Sequence, residues 1–139
     1  DVLRAIRREH AHEAVLARVD EALAVAAEAP GYLTEATEAV RSHRDRLAAK
    51  VAELDIIDAD WTHAGAERLT ELLLRTVQGA LLCEQGATAP HKALVALRYS
   101  RRRLMPERAW DDRIAFTAGR DLIAFAEFDP VRAEQAAAT

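Results

Sequence analysis

The chain has 139 residues, half of them apolar but only 5% aromatic, and a formal net charge of −4. The charge excludes a global attraction to nucleic acid or to an anionic membrane, and no apolar run reaches the roughly 18 residues that span a bilayer. The lone cysteine, Cys83, excludes an intrachain disulfide and favours a reducing, cytoplasmic setting. Because Ala, Leu, Arg and Glu dominate the composition, we expect a single all-α domain.

The first third of the sequence predicts two helices. Asp1 can cap a short helix whose apolar face includes Ile6. The polar stretch 9–13 indicates a kink, after which a second helix runs to about Glu28 and ends at Pro30-Gly31.

A third, amphipathic helix is predicted to start near Thr34, which supplies capping chemistry. Its inward positions recur at helical spacing: Ala36, Val40, Leu47, Val51 and Leu54. We place its charged and polar residues on the outer face: Arg41, His43, Arg44, Asp45, Arg46 and Lys50.

The stretch 64–85 predicts the central helix of a bundle. Its apolar surface is so wide that only a narrow polar strip remains: Glu67, Arg68, Glu71, Arg75 and Gln78. Gly79 and Ala80 should let a neighbouring helix approach closely, and Gly86 should close the helix as a C-terminal glycine.

The last third predicts two further helices. One starts at Pro90 and breaks at Met105-Pro106. The other covers 110–128, with an interruption at Gly119 and a stop at Pro130, followed by a frayed alanine-rich end. The expected fold is therefore an all-α, up-and-down helical bundle of five or six helices over residues 1–139.

The order of these segments resembles a known family. The chain is similar to the C-terminal helical extension of acyl-CoA dehydrogenase-like flavoproteins. The similarity lies in the opening DVLRAIRRE, an alanine-rich helix, a charged helix and the segment AERLTELLLRTVQGALLCEQG, followed by a helix of small and basic residues. The nearest branch is the bacterial DNA-alkylation-response (AidB-type) one. The resemblance implies that this chain is the C-terminal part of a longer polypeptide. The FAD and the catalytic base of an oxidoreductase would then lie before Asp1, and no residue here is carried over as catalytic or cofactor-binding.

Within that family the helical extension is associated with subunit packing and, in one branch, with double-stranded DNA. The resemblance therefore implies a non-catalytic role in assembly, with the rest of its own subunit and a homo-oligomer as partners. Double-stranded DNA is the alternative partner. No membrane partner is expected, since the amphipathic helix at 33–54 mixes both charge signs on its polar face.

A run of arginines supports the alternative. Arg98, Arg101 and Arg102 share one helix face and, with Arg103, are the candidate nucleic-acid contacts, because clustered guanidinium groups bind phosphates bidentately. The competing interpretation is a solvated helix end whose arginines complement the helix dipole or pair with Asp111, Asp112 or Asp121. With a negative net charge, we favour the solvated end.

Other chemistry-bearing residues have structural interpretations that we prefer. Glu9-x-x-His12 and Asp60-x-x-His63 have the spacing of di-metal bundles, but both lie at helix ends, so we interpret them as turn residues and predict no metal site. Cys83 is expected to be a buried thiol. Trp61 and Trp110 should seal the bundle ends or line a subunit interface. Three residues of the last segment suit either the core or a dimer surface: Ile123, Phe125 and Phe128.

Overall fold

Every regular element formed by the described residues of this computed structural model is helical, and these residues are 2–54, 59–107 and 113–139. The all-α prediction is therefore confirmed. The helices are α1 (Val2–Glu9), α2 (Ala11–Ala27), α3 (Thr34–Glu53), α4 (Ala59–Gly86), α5 (Pro90–Tyr99), α6 (Ile114–Thr117), α7 (Gly119–Ile123) and α8 (Pro130–Ala137). A 3₁₀ turn at Gly31–Leu33 leads into α3, and a π-helical turn at Ser100–Leu104 continues α5.

The boundaries between the first helices have local causes. His10 adopts a left-handed conformation, with φ 51°, and this breaks the chain between α1 and α2 at the predicted kink. Pro30 has φ −55° and ψ 149°, an extended conformation that ends the α2 region. The predicted ends of α2 and the start of α3 are therefore confirmed.

Pairs of contacting residues show that α2 and α3 run antiparallel. Asp20, in the middle of α2, binds Arg44 of α3, with Oδ2 and Nη2 2.7 Å apart. Arg7 of the preceding α1 donates from Nη2 to the carbonyl oxygen of Leu54, just past the end of α3, at 2.7 Å. Early residues of α1–α2 thus meet late residues of α3, as in an up-and-down bundle.

The same comparison shows that α4 runs antiparallel to α3 and α5. A Cβ placed on Gly79 would lie 2.8 Å from Val40 of α3 and 3.7 Å from Tyr99, at the end of α5. A Cβ placed on Gly86 would lie 2.8 Å from the Cα of Ala93, near the start of α5. Because α4 has its most extensive contacts with α5, α2 and α3, it is the central helix, as predicted.

Gly86 has a different role from the one we predicted. It is the last residue of α4, and none of the described glycines has a positive φ, so it is not a left-handed helix cap. Its missing side chain instead makes room for the backbone of Ala93. The prediction for Gly79 is confirmed, because Val40 and Leu104 occupy the space that a side chain there would take.

The interior contains two apolar clusters. The larger one gathers side chains from most of the helices, and its fully buried members include Leu33, Val40, Cys83, Leu94 and Leu97. The smaller one lies where α1 packs against α3 and α4: Ile6, Leu47, Val51, Leu54 and Leu69. All five predicted inward positions of α3 are therefore buried.

His43 is also buried, at 7% exposure, although we predicted it on the outer face of α3. It follows Val40 by three residues and precedes Leu47 by four, so helical spacing places it on the inward face. Its Nδ1 lies 3.2 Å from the carbonyl oxygen of Ala39, which satisfies that ring nitrogen. Helical spacing therefore outweighs the polarity of this side chain.

The C-terminal third differs most from the prediction. The segment expected at 110–128 contains the two short helices α6 and α7, with the break at Ala118 next to Gly119. Pro130 does not stop a helix but begins α8, where the Asp129 side chain accepts a hydrogen bond from the backbone N–H of Arg132 at 2.7 Å. The alanine-rich end is not frayed, since α8 buries three alanines against the core: Ala133, Ala136 and Ala137.

Candidate functional site

The predicted arginine run lies in the π-helical turn after α5. The backbone N–H of Met105 donates to the carbonyl oxygen of Ser100 at 2.9 Å, five residues earlier, which is the π-helical pattern. This turn contacts α3, α4 and α5, so it connects three helices of the bundle.

Arg101 is buried in the interior, with only 4% of its surface exposed. Its Nε and Nη2 donate to the two carboxylate oxygens of Glu35, each at 3.1 Å, and Nη2 also donates to the carbonyl oxygen of Ala137 at 3.2 Å. One guanidinium group thereby joins the start of α3, the π-helical turn and the end of α8. Arg101 is therefore an internal connector and does not present its charge to a phosphate backbone.

The other three arginines are more accessible. Arg102 and Arg103 are exposed and Arg98 is half-buried, so the structure divides the predicted cluster between interior and surface. Among the acidic partners that we considered, Asp121 binds Arg132 of α8 instead. The other two, Asp111 and Asp112, lie outside the described residues.

An open groove runs beside this turn, with a volume of about 820 Å³. It is lined by Glu67, Thr70, Glu71, Leu74, Arg75, Gln78, Tyr99 and Arg103. Arg75 pairs with Glu71 in this lining and also donates to the backbone carbonyl oxygen of Arg103 at 3.3 Å. The Tyr99 hydroxyl donates to Oε1 of Gln78 at 2.9 Å, and burial raises the pKa of Tyr99. The groove thus has a mixed lining in which Glu71 binds Arg75 and Gln78 binds Tyr99.

Two buried groups with titratable chemistry are held in uncharged forms. Burial raises the pKa of the Cys83 thiol to about 12, so this sulfur is a poor nucleophile, in agreement with the predicted buried thiol. Burial also lowers the pKa of His43, and the positive charges of Arg46 and Arg75 add to that effect.

The structure brings together a set of metal-ligand types that we did not predict. His10, His12 and Glu13 each offer one ligand atom, and these atoms lie within 4.8 Å of one another. Glu9, which has di-metal spacing to His12 in the sequence, lies 3.7 Å from Arg4 and is not part of this set, in keeping with its interpretation as a turn residue. The side chains of Asp60 and His63, the other pair with this spacing, lie outside the described residues. The signal that could have found the triad is the sequence His-Ala-His-Glu at a helix start.

Three exposed large apolar side chains lie in or near the two helices α7 and α8. Ile123 is 78% exposed, Phe125 is 84% exposed and Val131, in the first turn of α8, is 63% exposed. The third residue of the predicted core-or-surface set, Phe128, is buried, with Arg132 stacked 4.6 Å from its ring centroid. The alternatives are therefore divided: Phe128 belongs to the core, whereas Ile123 and Phe125 belong to the surface.

Phe125 has an unusual backbone conformation, with φ 53°. This region is sterically costly for a bulky residue. It is held by two hydrogen bonds, from the Phe125 N–H to the carbonyl oxygen of Leu122 at 3.3 Å and from the Ala126 N–H to that of Asp121 at 2.8 Å. The fold thus maintains a strained backbone that presents an aromatic ring to solvent.

These features define an all-α, up-and-down bundle with an exposed apolar end. No described helix is long and apolar enough to cross a membrane. No family model, no curated protein and no solved structure matches the chain.

Proposed function

We propose that the chain is a non-catalytic assembly domain that associates with a second copy of itself through the apolar end formed by Ile123, Phe125 and Val131. The observation that carries this proposal is the exposure of Phe125 on a left-handed backbone. Strained residues persist only where the surrounding structure maintains them, and they concentrate at functional sites. Aromatic side chains in exposed apolar patches are typical of the centres of protein interfaces.

The charges beside the apolar end suit pairing with an identical copy. Arg120 and Glu127 are exposed on either side of Ile123 and Phe125 in the sequence, and they carry opposite signs. In a two-fold symmetric interface the same surface meets itself, so each basic group can face the acidic group of the partner. Three large apolar side chains form a small interface centre, and we therefore expect a micromolar dimer.

Sedimentation of the full chain over a range of concentrations tests this proposal. We expect a reversible monomer–dimer equilibrium that is lost when Ile123 and Phe125 are both changed to serine. The matched control makes the same change to serine at Val25 and Val95, which are 44% and 39% exposed. This control should leave the monomer–dimer equilibrium unchanged. A chain that stays monomeric at high micromolar concentration would refute assembly through this surface.

We further propose, from the resemblance, that this domain belongs to a larger FAD-dependent, acyl-CoA dehydrogenase-like oxidoreductase in the cytoplasm. Support comes from the segment DVLRAIRRE, which contributes α1, and from the central segment, which forms the core-facing α4. The free, buried thiol of Cys83 suits a reducing compartment. The test is to isolate the native protein that contains this chain and to record its flavin absorbance. A flavin-free product would contradict the assignment.

The second candidate function is binding to double-stranded DNA, and it is favoured by the exposure of the neighbouring Arg102 and Arg103. Each phosphate contact contributes about −0.9 to the slope of log affinity against log salt concentration. Changing both arginines to alanine should therefore reduce the slope by about 2. Alanine at Arg41 and Arg46, which are exposed on α3, is the matched control. Affinity that does not depend on salt, or that survives loss of Arg102 and Arg103, would rule this function out.

A further inference from the structure

We infer that His10, His12 and Glu13 form a binding site for a divalent transition-metal ion at the junction of α1 and α2. The first observation is the donor set. Two imidazoles and one carboxylate are ligands that suit Zn²⁺, Ni²⁺ and Cu²⁺, whereas Mg²⁺ and Ca²⁺ prefer oxygen ligands. A cluster of surface carboxylates alone would offer no nitrogen ligands and would not favour these ions over Mg²⁺ or Ca²⁺.

The second observation is the geometry. One ligand atom from each residue lies within 4.8 Å of the other two, and Nδ1 of His10 is 3.5 Å from Oε1 of Glu13. Ligands about 2.0–2.2 Å from a tetrahedral zinc ion stand roughly 3.3–3.6 Å apart. His10 and Glu13 therefore already have this spacing, and the other ligand atoms need to approach by at most about 1.5 Å to complete the set. The left-handed φ of His10 lets a residue outside the helix join two residues from the first turn of α2.

The third observation is an unsatisfied atom. Nδ1 of His12 is buried and has no hydrogen-bond partner among the described residues. A buried polar atom without a partner is destabilising, and coordination by this nitrogen would satisfy it. His10 and Glu13, by contrast, are exposed, so an ion can reach the cluster directly from solvent.

The surrounding charges neither exclude a cation nor strongly attract one. The C-terminal end of α1 directs its partial negative charge towards the junction, and the N-terminal end of α2 directs partial positive charge there. The basic Arg7 is turned away, because it donates to the carbonyl oxygen of Leu54. With three protein ligands, a bound ion keeps a position for water or for a group from a partner molecule.

Calorimetric titration of the full chain with Zn²⁺ tests the inference, with the visible spectrum of the Co²⁺ complex as a second readout of nitrogen ligation. We expect one ion per chain. Loss of even an outer-shell partner lowers metal affinity by about 10–100-fold, so His12→Ala and Glu13→Gln should each weaken binding by at least about tenfold. His91→Ala, which removes a half-buried histidine on α5, is the matched control and should leave affinity unchanged.

Each other outcome overturns the inference. Absence of saturable Zn²⁺ binding would remove the site, and so would equal affinities for His12→Ala and His91→Ala. Because Glu13→Gln alters only one exposed carboxylate, it remains a valid test if His12→Ala perturbs folding. The dimer measured by sedimentation involves a different surface, so the two proposals can fail separately.

Discussion

The contact between Gly86 and Ala93 allows a quantitative test of how α4 and α5 pack. A Cβ added at Gly86 would lie 2.8 Å from the Cα, 3.1 Å from the N and 3.3 Å from the Cβ of Ala93. The two nearest atoms are backbone, and Ala93 is 1% exposed, so the helix itself would have to move. Overpacking of this kind costs about 1–3 kcal/mol. We therefore expect Gly86→Ala to destabilise the fold by about 1–3 kcal/mol, despite the better helix propensity of alanine.

The same helix supplies the control. A Cβ at Gly65 would meet nothing within 4 Å. Gly65→Ala should therefore stabilise the fold by up to about 1 kcal/mol through helix propensity alone. Chemical denaturation, followed by circular dichroism, measures both free energies of unfolding. If Gly86→Ala were as stable as Gly65→Ala, the close approach of α4 and α5 would be refuted.

Three further predictions concern buried polar groups. Arg101→Ala should lower the free energy of unfolding by about 2–4 kcal/mol, because it removes the buried partner of Glu35. Arg102→Ala, the control, should change the free energy of unfolding by less than about 0.5 kcal/mol. Similar effects of the two substitutions would contradict the role of Arg101 as a connector. Cys83 should resist alkylation in the folded chain and react once the chain is unfolded in urea, and rapid labelling of the native protein would argue against its burial. Because the folded pKa of His43 lies below the ordinary value of 6.5, the unfolded chain takes up the proton first as pH falls. The free energy of unfolding should therefore decrease as the pH falls below about 6.5, and it should decrease less in His43→Gln. If the free energies of unfolding of the unchanged chain and of His43→Gln depended on pH in the same way, this prediction would be refuted.

The sequence contained more of the buried polar network than we predicted from it. Arg101 lies four residues after Leu97 and three before Leu104, which is the spacing of the inward face of that segment. His43 occupies the same kind of position on α3. In both cases residue polarity suggests an outward position, whereas helical spacing indicates an inward one. The structure supplies hydrogen-bond partners for Nδ1 of His43 and for Nε and Nη2 of Arg101, which lowers the cost of burying these atoms.

The sequence itself determines the order of the helices, the kink at His10 and the end of α2 before Pro30. The reason is that helix spacing and the backbone limits of proline act over a few residues. Only the tertiary structure decides which residues meet across long separations. Glu35 joins Arg101, and Gly79 meets Val40, because α3 packs against α4 and against the π-helical turn. The exposure of Phe125 is also a property of the tertiary structure, since its ring is 84% exposed while that of Phe128, three residues later, is buried. Local patterns specify a helix and its apolar face, whereas burial depends on the neighbours that cover that face.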